Sequence, residues 1–307
     1  MRIAVIGAGG IGAIYGASLA KAGAEVIFVA RGRHLNAMRE NGLRIEGDRG
    51  ETEIRPVQAT DDIAAIGPVD YALFCVKLWD VESAGEQIRS IVGPDTAVIP
   101  LQNGVDAAER LAAILGPEPV MGGTAFVTGA VIAPGVVRQT GRYQRMTFGE
   151  LNGHSNGRGS RLRDLCAAAG FEGVLSPDVM VPIWEKFLLL VPAVGLNALT
   201  RLPLGKWRAD PDLLALFGAA LRETDAVGRA EGVRLPPDSV EKTMAVMWSM
   251  PDHHMTSMGN DLLRGNRLEL AWLVGKVVEL GRRHGIQTPT NDFICTALKP
   301  YANGAPA

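Results

Sequence analysis

The chain has 307 residues, of which 47% are hydrophobic and 21% charged, and its formal net charge is −2. This composition supplies enough apolar side chain for a core of about two domains, and it excludes the low-hydrophobicity, high-charge signature of disorder. Because no Lys/Arg-rich run is interleaved with aromatic residues, we expect no nucleic-acid partner.

Three widely spaced cysteines, Cys75, Cys166 and Cys295, show neither CxxC nor Cys/His ligand spacing. We therefore expect free, buried thiols in a reducing compartment, and no metal site. The N-terminal segment has some features of a signal peptide, but a phosphate-binding loop explains its glycines better. Since no stretch reaches about 18 continuous apolar residues, we predict no membrane span and a cytoplasmic location.

Short apolar runs alternate with helix-length segments in the first half of the chain. Such runs are typical of strands that are buried on both faces of a parallel sheet and joined by right-handed crossovers. The predicted strands cover residues 3–6, 25–29, 71–76, 97–101 and 120–125. They predict a doubly wound, Rossmann-type α/β domain.

The pattern then changes. Residues 136–140 and 144–148 flank Gly141-Arg142, which predicts an antiparallel hairpin, and a helix (161–169) and a short strand (171–175) follow. Beyond Pro177 only helical periodicity remains. The helices are predicted at 178–199, 210–231, 237–248, 268–284 and 290–298. We expect an α/β domain over residues 1–175 and an all-helical domain over residues 176–307.

A glycine-rich segment follows the first strand directly, and it reads Gly7-Ala8-Gly9-Gly10-Ile11-Gly12. With a helix predicted at 14–22, it matches the G-x-G-x-x-G loop of dinucleotide-binding folds. Gly7 permits the tight turn, Gly9 lets a pyrophosphate approach, and Gly12 allows helix and strand to pack closely. The N–H groups at the helix N-terminus suit phosphate. The alternative is a glycine-rich turn without a ligand. We assign Gly7, Gly9, Gly10, Ile11 and Gly12 to a cofactor site.

The end of the second strand selects the cofactor. NAD-dependent folds place Asp or Glu there to bind the ribose 2′-hydroxyl, whereas this chain has Arg31 and no carboxylate. A guanidinium can bind a 2′-phosphate through charge-assisted hydrogen bonds, so the sequence favours NADP(H) over NAD(H). Arg33 either assists or is a solvated surface charge.

Two polar positions follow the third and fourth strands. Lys77 comes directly after residues 71–76, and Asn103 lies in Gln102-Asn103-Gly104 directly after residues 97–101. Open α/β sheets bind ligands at these carboxyl ends. The alternatives are a solvated lysine and an ordinary Asn-Gly turn.

A third candidate, Lys186, lies on the first predicted helix of the second half and is followed by Phe187 and three leucines. Burial beside such a run would disfavour the ammonium form and tune the lysine toward general acid catalysis. The alternative is a lysine whose stem lies along an apolar face while its charge stays in water.

Taken in order, these motifs resemble the ketopantoate reductase (2-dehydropantoate 2-reductase) family over nearly the whole chain. The motifs are Gly7-x-Gly9-x-x-Gly12, Arg31, Cys75-Val76-Lys77, Leu101-Gln102-Asn103-Gly104, Trp184-Glu185-Lys186, Thr256-Ser257-Met258 with Asp261 and Glu269, and His284-Gly285-Ile286-x-Thr288-Pro289. The resemblance implies a Rossmann-type N-terminal domain and a helical C-terminal domain like that of 6-phosphogluconate dehydrogenases.

The resemblance also implies a reaction, the NADPH-dependent reduction of 2-dehydropantoate to (R)-pantoate in pantothenate and coenzyme A biosynthesis. It implies that Lys186 is the general acid and that Glu269 binds the substrate hydroxyl and orients Lys186. Asn103 would lie beside the nicotinamide and the substrate, Lys77 would contact the cofactor, and Ser257 would hold the substrate carboxylate.

The match fails at one substrate-binding position. Better-known family members carry an asparagine one helical turn after the lysine, where this chain has Leu190. A second family asparagine is replaced by Val194, and the nearest asparagine, Asn197, lies beyond Pro192, which could kink the helix. A different 2-keto acid or a less polar ketone is therefore the alternative substrate. A non-catalytic NADP-binding sensor is a second alternative, and a homodimer is left open.

Overall fold

The computed structural model describes residues 1–154 and 156–306. Its residues group into two compact units, Met1–Pro182 and Ile183–Ala307. The predicted domain boundary after residue 175 stays a prediction.

The first unit combines strands with helices. Its elements are, in chain order, β1 (Arg2–Ile6), α1 (Gly10–Lys21), β2 (Glu25–Val29), α2 (Gly32–Asn41), β3 (Leu43–Gly47), β4 (Thr52–Ile54), β5 (Gln58–Thr60), β6 (Val69–Phe74), a 3-10 turn (Leu78–Asp80), α3 (Val81–Gln87), a second 3-10 turn (Ile88–Ile91), β7 (Val92–Pro100), α4 (Ala107–Leu115), β8 (Met121–Ala133), β9 (Val136–Glu150), α5 (Arg158–Ala168) and β10 (Glu172–Leu175).

A parallel sheet with the order β5-β2-β1-β6-β7 forms the centre of this unit. Strand β1 lies in the middle, and Ile3, Ala4 and Val5 are fully buried. Continuous burial explains why the strand has no polar alternation, because side chains are covered on both faces of the sheet. The predicted doubly wound α/β class is confirmed.

The fifth parallel strand was predicted wrongly. Residues 120–125 fall mainly in β8, which pairs antiparallel with β9 in a second sheet of order β10-β9-β3-β4. Only Val120 makes a parallel bridge, to Val98. The parallel sheet is completed instead by β5 (Gln58–Thr60), which is too short and polar to give an apolar signal.

The predicted hairpin around Gly141-Arg142 is also wrong. Residues 136–150 form the single strand β9, and the chain reverses earlier, between β8 and β9. Gly141 has a φ of +75° and lies where the pairing register shifts between Phe126 and Thr128. Its N–H donates to Asp48 Oδ2 at 2.6 Å. The glycine therefore marks a bulge inside a long strand, as glycine often does.

The second unit is helical, as predicted. Its elements are α6 (Met180–Thr200, which begins at the end of the first unit), α7 (Leu204–Arg208), α8 (Pro211–Ala230), α9 (Ser239–Ser249), α10 (Ser257–Leu263), a 3-10 turn (Leu270–Trp272), α11 (Val274–His284), α12 (Pro289–Leu298) and a final 3-10 turn (Lys299–Tyr301). The helix predicted at 268–284 is shorter than expected, because Leu273 (φ −108°, ψ −96°) separates the 3-10 turn from α11. Sequence periodicity missed the short helices α7 and α10.

Helix α6 is also relevant to the membrane prediction. Within the described residues it alone is long and apolar enough to cross a membrane, and 67% of its most apolar window is buried inside the protein. A helix that is largely apolar and mostly buried is typical of a protein core.

Candidate active site

The parallel strands end in register at one edge of the sheet. Ile6 pairs with Val29 on one side and with Phe74 on the other, and Phe74 pairs with Pro100. The loops that follow β1, β2, β6 and β7 therefore leave from the same edge, which is where open α/β sheets bind ligands.

Four predicted positions occupy these loops. The glycine segment begins at Gly7 directly after β1, and Arg31 follows β2. Lys77 follows β6 and is exposed, whereas Asn103 follows β7 and is half-buried. The Lys77 ammonium lies 5.5 Å from the centre of the Trp79 ring. The first unit thus brings these predicted residues to one edge of its sheet, while Lys186, Ser257 and Glu269 belong to the second unit.

The glycine loop is tightly packed at both ends and open at Gly9. Gly7 has a φ of +97°, and a Cβ there would lie 3.0 Å from the Cys75 carbonyl. A Cβ at Gly12 would overlap the Gly7 carbonyl and lie 2.8 Å from Val5 Cγ1. At Gly9, by contrast, a Cβ would meet no heavy atom within 4 Å. The open space fits a pyrophosphate at the position where the motif places it.

Helix α1 begins within this loop, four residues earlier than predicted. Its first helical hydrogen bond runs from the N–H of Ala13 to the carbonyl of Gly9 at 2.9 Å. The N–H groups of Gly10, Ile11 and Gly12 therefore precede the helical hydrogen-bond ladder, and the N-cap residue makes no side-chain cap. Such groups, with the positive end of the helix dipole, are suited to bind a phosphate.

Arg31 is the exposed N-cap residue of α2 and makes no side-chain cap. Within residues 1–154 and 156–306, its guanidinium has no hydrogen bond or ion pair. It is thus available to an anionic ligand at the carboxyl edge of the sheet. Arg33, one residue into α2, is exposed as well.

Lys186 and Glu269 interact within the second unit. Lys186 is half-buried on α6, and the neighbouring side chains of Trp184 and Phe187 are buried with their rings 5.4 Å apart. Burial lowers the pKa of Lys186 to about 8, and the negative charge of Glu269 acts in the opposite direction, raising it. Glu269 is itself buried and is the N-cap residue of the 3-10 turn Leu270–Trp272, without a side-chain cap. A lysine with this pKa can give up a proton near neutral pH.

Ser257 is the exposed first residue of α10. Its neighbour Thr256 caps the helix, since Thr256 Oγ1 accepts from the N–H of Gly259 at 3.3 Å. The N–H of Thr256 in turn donates to Asn197 Oδ1 at 3.1 Å, and Asn197 Nδ2 donates to the Leu202 carbonyl at 2.7 Å. The buried Asn197 amide therefore orders the segment that carries Ser257.

Sequence reasoning did not give Asn197 this role, because its two partners lie on other segments. A polar residue inside a largely apolar helix was the available signal, since buried amides need hydrogen-bond partners.

The position where the family asparagine is missing also lies on α6. Leu190 is half-buried there, one turn after Lys186.

Comparison with known proteins gives a consistent result. The chain matches two family models, Ketopantoate reductase PanE/ApbA over residues 3–153 and Ketopantoate reductase PanE/ApbA C terminal over residues 178–302. A 2-dehydropantoate 2-reductase from Mesorhizobium japonicum is 32% identical, and the match covers 98% of each chain.

Solved structures show the same likeness. A PanE/ApbA family ketopantoate reductase from Ralstonia eutropha JMP134 is 33% identical with a TM-score of 0.90, and the match covers 98% of each chain. A D-mandelate dehydrogenase bound to NADH and anilino(oxo)acetate has a TM-score of 0.89 over 98% of each chain, but it is only 21% identical. The second likeness is one of fold alone.

Proposed function

The chain belongs to the ketopantoate reductase family and is an NAD(P)-dependent oxidoreductase acting on a CH–OH/C=O group, and from this premise we propose that it reduces 2-dehydropantoate to (R)-pantoate with NADPH. The observation that carries the proposal is the Lys186–Glu269 pair, in which a half-buried lysine has a pKa lowered to about 8. A general acid works best when its pKa lies near the operating pH.

The nicotinamide, when bound, supplies the hydride that reduces the ketone carbon. Lys186 donates a proton to the ketone oxygen, and its positive charge stabilises the alkoxide as it develops. Glu269 keeps Lys186 protonated by raising its pKa, and it accepts a hydrogen bond from the substrate hydroxyl. Hydride and proton together convert the ketone to the alcohol, which leaves Lys186 neutral until it takes a proton from solvent.

Other residues bind and orient the reactants. The proposed ligands of the cofactor are the loop from Gly7 to Gly12, with Lys77 and Asn103 on neighbouring loops. Asn103 also contacts the substrate, and Ser257, the exposed first residue of α10, holds the substrate carboxylate. No described residues form a group of three or more potential metal ligands, and none of these steps uses a metal.

NADPH is proposed over NADH because of Arg31. Its exposed guanidinium has no partner among the described residues, and it follows the strand whose end binds the adenosine ribose in this fold. A planar guanidinium can bind a 2′-phosphate through two parallel hydrogen bonds.

One observation favours a second candidate substrate. Leu190 places an apolar, half-buried side chain one turn after Lys186, where an amide would hydrogen-bond a substrate hydroxyl. Sites that bind a hydroxyl discriminate strongly through such groups. A 2-keto acid without the terminal hydroxyl, or with a larger apolar substituent, is therefore the alternative. We place the enzyme in the cytoplasm and keep a homodimer as the assembly to test.

The test is an absorbance assay of NADPH oxidation with a panel of 2-keto acids that includes 2-dehydropantoate. We expect 2-dehydropantoate to be turned over and Lys186→Ala to lose about 10²- to 10⁴-fold in kcat. Lys206→Ala removes an exposed lysine of α7 and is the matched control. Preferred turnover of a less polar keto acid would favour the second candidate. NADPH binding without oxidation across the panel would support a sensor and contradict the proposal.

A further inference from the structure

His34 links two backbone segments in the first unit. It is half-buried in the first turn of α2, with its Nε2 2.9 Å from the carbonyl oxygen of Ala8. Its Nδ1 accepts a hydrogen bond from the N–H of Gly135 at 3.0 Å. Since an amide N–H can only donate, Nδ1 carries no proton, and the proton on Nε2 is donated to Ala8. The two hydrogen bonds therefore fix the orientation of the imidazole ring.

The two linked segments are the glycine loop and the turn of the β8–β9 hairpin. Ala8 lies between Gly7 and Gly9, and its N–H donates to the Val29 carbonyl at 2.9 Å. The carbonyl of Gly135 accepts from the N–H of Arg44 on β3 at 2.9 Å. Nε2 of His34 therefore binds the glycine loop. Nδ1 binds the β8–β9 turn, which is itself hydrogen-bonded to β3 of the second sheet.

A second contact joins the same two segments. A Cβ at Gly10 would overlap the carbonyl of Gly129 on β8 and lie 2.9 Å from the N of Ala130. A Cβ at Gly129 would in turn overlap Ile14 Cδ1 of α1. The β8–β9 hairpin therefore contacts the glycine loop in two ways, directly at Gly129 and through the side chain of His34.

We propose that His34 is a positioning residue for the nicotinamide cofactor, because it holds the Ala8 carbonyl so that Gly9 and the N-terminus of α1 present their N–H groups to the phosphates. The inference rests on the proposed cofactor role of the loop. Preorganised ligand-binding backbone depends on neighbouring hydrogen bonds that fix its geometry.

A pair of substitutions tests this role. Met and Gln have similar sizes, but Gln can both donate to Ala8 and accept from Gly135, whereas Met can do neither. NADPH affinity is measured by fluorescence titration, together with kcat and the KM values of NADPH and the keto acid. We expect His34→Met to weaken NADPH binding about fivefold to tenfold. His34→Gln should recover most of that loss.

At saturating NADPH, both variants should retain the wild-type kcat and keto-acid KM. His284→Ala, which removes a histidine paired with Glu231 at the end of α11, is the matched control and should bind NADPH as the wild type does. Equal NADPH affinity for His34→Met and the wild type would overturn the inference. So would an equal loss in both His34 variants.

A measurement on the unaltered protein tests the link independently of folding in the variants. NADPH should slow hydrogen–deuterium exchange at Gly135 together with exchange in the Gly7–Gly12 loop. Protection of the loop alone would contradict the coupling through His34. Absence of NADPH binding to the wild type would overturn the proposed cofactor itself, which is a different result from either of these.

Discussion

Gly9 and Gly12 provide a paired test of the cofactor loop, because the same added methyl group should have opposite effects at the two positions. At Gly9 the backbone angles (φ −73°, ψ −164°) suit alanine, and a Cβ meets no heavy atom within 4 Å. Gly9→Ala should therefore leave the stability of the cofactor-free protein unchanged. The methyl group would occupy the space proposed for the pyrophosphate, and we expect NADPH affinity to fall at least about tenfold.

At Gly12 the added Cβ would overlap the Gly7 carbonyl and lie 2.8 Å from Val5 Cγ1. Backbone and a core side chain would have to move, and overpacking of this kind costs about 1–3 kcal/mol. Chemical denaturation without cofactor measures the free energy of unfolding, and fluorescence titration measures NADPH binding. If Gly9→Ala binds NADPH like the wild type, the proposed role of the loop is refuted. Equal destabilisation by both substitutions would refute the argument from open space.

Three further predictions concern single side chains. Arg31→Ala should weaken NADPH binding about 10- to 100-fold, through loss of a charge-assisted contact, and leave NADH binding nearly unchanged, as titration of both cofactors would show. Lys186 loses its proton above a pKa of about 8, so kcat should fall as the pH rises through that value. Glu269→Gln removes the charge that raises this pKa, and pH–rate profiles should show the fall at lower pH. Asn197→Leu should destabilise the protein by about 1–3 kcal/mol in chemical denaturation, because it leaves the buried N–H of Thr256 without a partner and removes the hydrogen bond to the Leu202 carbonyl.

The predictions from sequence succeeded where one segment determines its own structure. Strand β2 has the predicted bounds, because its apolar run lies between the polar residues Glu25 and Arg31. The glycine loop was recognisable because its spacing reflects local packing, and the structure has tight contacts at Gly7 and Gly12. Helices α8 and α12 were also placed within a residue or two, and each has a proline in its first turn.

Strand pairing was less predictable, because it depends on distant partners. An apolar run such as 120–125 is compatible with parallel or antiparallel pairing. Gly141 is equally compatible with a turn and with a bulge, and the pairing of β9 with β8 decides between them. Strand β5 has little apolar character of its own, and its place at the edge of the sheet depends on pairing with β2.

The chemistry of Lys186 shows the same limit. The apolar residues that follow it predicted burial, and burial lowers its pKa. Burial disfavours the ammonium form, which is the form that can protonate a ketone oxygen. Glu269 lies on a separate element far along the chain and opposes this effect, so the pKa of about 8 results from two influences of opposite sign. In the proposed mechanism Glu269 thus raises the pKa of Lys186 in addition to binding the substrate, whereas the pattern around Lys186 alone indicates only the lowering of that pKa by burial.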